Sequence, residues 1–305
     1  MEGWPLIGIR FALYADLGLL FGLPLFPLYA LRSDARRLLP LRPAILALAA
    51  AGFALSLAGF AIMAGAMTGT PIGEIDRATW TMLLTRTAAG SALLARLAAL
   101  AALLLLAIVA RRATAPALAA AAALGGIALA TLAWSGHAVA GEGIAGMVHL
   151  VADIVHLLAA AAWLGALGGL ACLVARRNSR ESDLRATHRA LAGFALVGTL
   201  LVGAIVITGM LNAWFMIGPD HLRQVATGRY GQLLIAKLAL FAIMLVMAAR
   251  NRFRLTPALD AVIARGEERS ARAALLRSVT IEAGLGLMIL ALVAWLGTLA
   301  PPIGS

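Results

Sequence analysis

The sequence predicts an all-α fold: a polytopic helical bundle in a membrane, with about eight transmembrane helices and both termini on the outer side. Three observations carry this. Of the 305 residues, 62% are hydrophobic and the mean hydropathy is +0.94, whereas a soluble domain is apolar over roughly 45–50% of its residues. Apolar runs of about 20 residues recur between Arg-rich or Gly/Pro-rich breaks, the length that a hydrocarbon core ~30 Å thick demands. The arginines crowd into alternate breaks, which sets an orientation by the positive-inside rule.

The first span covers residues 5 to 31. It has no positively charged segment before it and no small-residue cleavage site after it, so it reads as a retained helix and not as a signal peptide. The turn bearing Arg32, Arg36, Arg37 and Arg42 leads to the second span, 43 to 67. The third, 81 to 110, ends at Arg111 and Arg112, and the fourth, 116 to 135, runs into the loop WSGHAVAGEG. The fifth, 146 to 175, is followed by Arg176, Arg177, Arg180, Arg185 and Arg189. The sixth occupies 189 to 216, the seventh 231 to 250 and the eighth 274 to 299. Between the last two lie Arg250, Arg252, Arg254, Arg265, Arg269, Arg272 and Arg277. The other loops carry only Arg77, Arg223 and Arg229, with Glu74, Asp76, Glu142 and Asp220. The Arg-rich loops are therefore read as cytoplasmic and both termini as external. Three helices in residues 1–115 precede a core of five helices in 116–305, within one membrane domain. The formal charge of +11 does not point to nucleic acid, because its arginines are scattered over short loops instead of sharing one folded face. No GxxxxGK[ST] motif is present, so nothing in the chain suggests ATP coupling.

His149, Asp153 and His156 lie in the segment HLVADIVH of the fifth span. At about 100° per residue, positions i, i+4 and i+7 share nearly one azimuth, so all three side chains point the same way. Ionisable groups at membrane depth are costly and mark a pathway or a site by default. At 1.5 Å per residue the histidines are roughly 10 Å apart along the axis. They therefore read as two successive partial sites, each completed by other helices. His137, in the loop after the fourth span, lies on the same outer side. The single Cys172 can form neither an internal disulfide nor a CxxC site, and reads as a small buried apolar residue.

Methionines favour the same side. Met63 and Met67 close the second span, Met82 opens the third, Met147 opens the fifth, Met210 and Met216 close the sixth, and Met288 lies in the outer half of the eighth. Met244 and Met247 fall in the opposite half. Each alone is most simply a packing residue. Their shared bias toward the histidines gives a thioether and imidazole set, which suits copper as Cu(I) or Cu(II). Within the spans, Arg10, Asp16 and Arg96 read as ion pairs between helices, and Lys237 as the neutraliser of Asp153 or Glu282. Glu282 is then a candidate inner relay or ligand, and Asn212 a hydrogen-bonding group or an ion contact.

The segments GHAVAGEG, MVHLVADIVHLLAAAAWLGALGGL, TGMLNAW, RYGQLLIAKLALFAIMLVMAARNRFRL and RSVTIEAGLGLMILALVAWLGTLAP resemble the bacterial CopD/PcoD copper-resistance membrane proteins. The resemblance runs from about the fourth span to the end. It implies a multi-pass inner-membrane protein, not an enzyme, that takes copper from the periplasm and moves it toward the cytoplasm. It also implies a separate periplasmic CopC-like partner, since the chain has no long polar segment to form a fused one. Carried over by position, the family-like residues are His137, His149, Asp153, His156, Trp163, Asn212, Lys237 and Glu282. The expected route runs from capture around His137, Met67, Met147 and Met210, supported by Met63, to His149, Asp153 and His156, with Glu282 deeper. His188 reads as cytoplasmic and His221 as a solvated outer-loop residue, both outside recognisable motifs. The alternative is a b-type haem electron carrier or metal reductase, but only one span offers deep histidines.

Overall fold

In a computed structural model, residues 3–110, 112–135, 143–176, 181–218, 228–255 and 268–299 are described. They form α1 (Trp4–Ala30), α2 (Leu41–Thr68), α3 (Arg77–Arg86), α4 (Ala88–Val109), α5 (Ala115–Ala130), α6 (Gly143–Ala175), α7 (Glu181–Ile217), α8 (Arg229–Arg250) and α9 (Glu268–Leu296). A 3-10 turn, Thr131–Ser135, extends α5, and a π-helical turn, Asn251–Leu255, extends α8. Among the described residues, eight helices are long and apolar enough to cross a membrane, all of the above but α3.

The third expected span is not one helix from 81 to 110. Thr87 is extended (φ −114°, ψ 150°) and separates α3 from α4. Each helix has its own N-cap: Asp76 Oδ1 accepts from the Thr79 amide at 2.8 Å, and Thr87 Oγ1 from the Gly90 amide at 3.0 Å. The Thr79 amide and hydroxyl hold the Asp76 carboxyl below its usual pKa. The ten residues of α3 are too few and too polar to cross a bilayer, whereas the 22 residues of α4 are apolar but for Ser91 and Arg96.

α1 is the hub, packing against α2, α5, α6 and α9. Its closest approach is to α6, where Gly22 and Gly165 meet backbone to backbone; a Cβ on either would overlap the other's main chain. One turn away, Gly18 faces Ala161, and Gly169 seats the Phe26 ring. Small residues at such a seam let two membrane helices gain van der Waals contact, since lipid offers no hydrophobic drive between them. α6 then packs on α7 and α9, and α8 packs on α9.

The arginines do more than set topology. At the Arg-rich end, Arg42 Nε donates to the Ala107 carbonyl (2.9 Å), Arg176 Nη1 to Leu38 O (3.1 Å) and Arg272 Nε to Val174 O (2.6 Å). They thereby satisfy carbonyls that helix ends and turns leave without partners. Within the spans, Arg96 Nε donates to Thr131 Oγ1 at 2.7 Å, and among the described residues it makes no ion pair with Asp16, contrary to expectation. Asp16 is buried on the other side, against Gly52 of α2. Cys172 is exposed on α6, not buried, because an apolar side chain in a bilayer meets lipid as readily as core.

The glycine seam makes a testable demand. Gly165→Val should destabilise the bundle by about 1–3 kcal/mol or more through overpacking. Gly168→Ala should be tolerated, because its Cβ would meet only the side-chain ends of Leu23 and Leu19, at 3.3 and 3.7 Å. Thermal unfolding of the two variants in detergent checks this; equal melting temperatures would contradict the seam.

Candidate metal centre

His149, Asp153 and His156 lie on one face of α6, and α1, α7 and α8 supply what surrounds them. His149 is buried, and its ring stacks on Phe215 of α7, with centroids 5.0 Å apart and planes at 19°. One turn deeper, Asp153 Oδ1 accepts a hydrogen bond from Asn212 Nδ2 of α7 at 3.3 Å. The carboxylate also attracts Lys237 of α8 and Arg10 of α1. Lys237 is therefore the electrostatic partner of Asp153 and not of Glu282. Asn212 Oδ1 is buried without a hydrogen-bond partner among the described residues, an acceptor left open beside the carboxylate.

His156 is oriented by α7. Its Nδ1 lies 3.0 Å from Thr208 Oγ1, and that hydroxyl gives its own proton to the Ala204 carbonyl at 2.6 Å. With its proton committed, Oγ1 can only accept, which assigns the imidazole proton to Nδ1 and leaves the Nε2 lone pair free. Gly209 makes room for the ring: a Cβ there would lie 3.4 Å from the His156 ring carbon. His156 opens onto a cavity of about 410 Å³ between α6, α7, α8 and α9, which Lys237 and Met210 also line.

The donor set suits a transition-metal cation: two imidazoles, a carboxylate and an orphaned amide oxygen at the carboxylate's side. Among the described residues no three His, Cys, Asp or Glu side chains converge on one point. Haem would need a second histidine opposite; among the described residues, Phe215 stacks on His149 and Thr208 bonds His156.

The remaining expected residues divide. His137 and His221 lie outside the described residues, as does the side chain of His188. Met67 and Met147 are exposed, at 60% and 67%, at the ends of their helices and do not enclose His149. Met210 is exposed too, but it lines the His156 cavity. Met63 packs with Phe60, Leu83 and Trp80 on the far side of α1. Glu282 is not beside His156. It is buried two turns further along, where Oε1 accepts from Trp163 Nε1 (3.1 Å) and Oε2 from Asn251 Nδ2 (2.9 Å). Sequence reasoning missed Thr208, Phe215, Asn251 and Ser278. Thr208 precedes Asn212 by four residues, so one polar stripe on α7 was there to be read; Asn251 sits in a segment that resembled a helix end.

Comparison with known proteins identifies the family of the chain. Residues 1–147 match the family described as Copper resistance protein D-like, N-terminal domain, and residues 188–296 match the family described as Copper resistance protein D. Copper resistance protein D of Pseudomonas syringae pv. tomato is 41% identical over 308 residues, spanning 99% of this chain and 98% of that protein. The inner membrane protein YebZ of Escherichia coli is 32% identical over 171 residues, 56% of this chain and 55% of YebZ. The copper transport protein CutJ of Bacillus subtilis is 29% identical over 171 residues, 56% of this chain and 28% of CutJ. No solved structure matches the chain. With both halves matched and 41% identity sustained along its whole length, the chain belongs to the copper resistance protein D family.

Proposed function

We propose that this chain takes copper from the periplasmic side of the bacterial inner membrane and carries it toward the cytoplasm, contributing to copper homeostasis. The observation that carries this reading is the polar face of α6, where the buried His149 and the partly buried Asp153 and His156 meet polar or aromatic groups of α7 and α8. Such a face repays its cost only if something polar moves along it. The names of the relatives, copper resistance, copper transport and inner membrane protein, point the same way. The Arg-rich loops are cytoplasmic in this reading, which puts both termini in the periplasm and His149 nearer that side than His156.

Capture begins at the outer ends of the helices. The exposed thioethers of Met67 and Met147, with His137, receive the ion from a separate CopC-like periplasmic protein. His149 and Asp153 form the first station, with the open Asn212 oxygen as an added donor. His156 forms the second, offering Nε2 into the cavity that Met210 lines. Imidazole accepts either oxidation state and the thioether favours Cu(I). A row of incomplete sites binds well enough to load and loosely enough to release.

Two measurements test this. The double variant His149→Ala with His156→Ala should abolish tight copper binding by the purified protein and copper flux into proteoliposomes; tight binding that persists in that variant would remove both residues from the route. Thr208→Val, which strips the Nδ1 partner from His156, should weaken copper affinity roughly 10–100-fold, as loss of an orienting partner does at metal sites. An unchanged affinity would mean that the Thr208 contact does not prepare the ligand.

A further inference from the structure

Beyond His156 the same face of α6 continues to Trp163, two heptads from His149, with a drift of only about 40° in azimuth. Trp163 is buried, and it lines two cavities at once, as does Leu167 one turn on. The first is the 410 Å³ cavity of His156 and Lys237. The second, of about 250 Å³, lies toward the Arg-rich end between α6, α7, α8 and α9, and Glu282, Asn251 and Arg252 line it. The indole is therefore the wall between them. It is held on both sides, edge-to-face against Phe194 (5.7 Å between centroids, 82°) and by its N–H to Glu282 Oε1.

The second cavity has its own oxygen donors. Glu282 is 2% exposed, and no cation contacts its carboxylate among the described residues; its partners are the two N–H groups of Trp163 and Asn251. Arg252, a cation lining the same cavity, is committed elsewhere: its Nη1 donates to Thr199 Oγ1 at 2.7 Å and to the Ala195 carbonyl at 3.2 Å. The Ser278 hydroxyl is tied to Asn251 Oδ1. The π-helical turn after α8 brings Asn251 to this point, and such local widenings of a helix recur at functional sites. A buried carboxylate without a cation is a standing cost that an incoming cation removes.

We infer that this second cavity is a cation station built on Glu282, with the oxygens of Asn251 and Ser278, and that the Trp163 indole is the partition an ion passes to reach it from His156. The inference rests on the transport reading and extends it inward. An all-oxygen station holds copper less well than imidazole and thioether do, which suits the last stop before release. Passage requires the indole to swing aside and give up its bond to Glu282, so the same carboxylate is both the latch of the partition and the ligand behind it.

The test uses the full-length protein with Cu(II), and with Cu(I) under ascorbate, in equilibrium dialysis and in proteoliposome flux. Wild type should bind one tighter equivalent, lost in the His149→Ala, His156→Ala variant, and one weaker equivalent. Glu282→Gln should keep the first, lose the second and slow flux at least tenfold. Trp163→Phe, which keeps a ring but not the N–H, should keep both equivalents and speed flux several-fold. A second equivalent that survives Glu282→Gln, or is missing from wild type, overturns the station. Flux in Trp163→Phe equal to or below that of wild type overturns the partition. If wild type carries no copper across the bilayer while the second equivalent is present and depends on Glu282, the transport reading fails and the station stands.

Discussion

A polar face on a membrane helix must be covered by protein along its whole length, because hydrocarbon offers no partner for a buried charge or hydrogen-bonding group. Much of this structure follows from meeting that demand on α6. The face opposite the histidines is fixed by the contact of Gly22 with Gly165, which brings α1 so close that α6 has little freedom to rotate. With the azimuth set, α7 supplies Phe215, Asn212 and Thr208 in register with His149, Asp153 and His156, and α8 supplies Lys237. Further along, α9 and the end of α8 take over with Glu282 and Asn251. The seam and the polar face are two sides of one helix, and the second depends on the first.

The half of the bundle farthest from the histidines is built on different terms. Arg96 is satisfied by the Thr131 hydroxyl, Ser56 by the Gly52 carbonyl, and Asp16 lies in the space that glycine leaves. These groups tie α1, α2, α4 and α5 together without forming a row of ligands. Met63, on this side, belongs to an apolar cluster under α3. α1 is common to both halves, and its Arg10 reaches toward Asp153 from one of them while lining a small cavity with Arg96 in the other.

The sequence made the number of spans and the polar face of α6 legible because both are written as simple periodicities: apolar runs of membrane length, and His149, Asp153 and His156 at helical spacing. It did not reveal which way most other side chains face. A span that is apolar all round has no amphipathic stripe to show its rotation, so the directions of Met67, Met147 and Cys172 could not be deduced. The break at Thr87 was hidden by averaging: hydropathy runs through a position that only the local capping pattern, Thr87 to Gly90, marks as a boundary. The partners of Glu282 were hidden for another reason, since Asn251 is 31 residues away and Trp163 is 119. Which nitrogen of His156 carries its proton depends on Thr208, 52 residues on, and on that hydroxyl's bond to its own helix.

On the proposed route, Lys237 limits how strongly the first station would hold copper. Its ammonium and the Asp153 carboxylate belong to different helices, and α8 packs chiefly on α9. On that route, a metal ion arriving at Asp153 would not meet an idle anion; it would meet one that a tethered cation already attracts. The protein would thus carry its own resident competitor, at an effective concentration fixed by the fold. Affinity at that point would be capped from within, and the bound ion would always be the guest that is easier to evict.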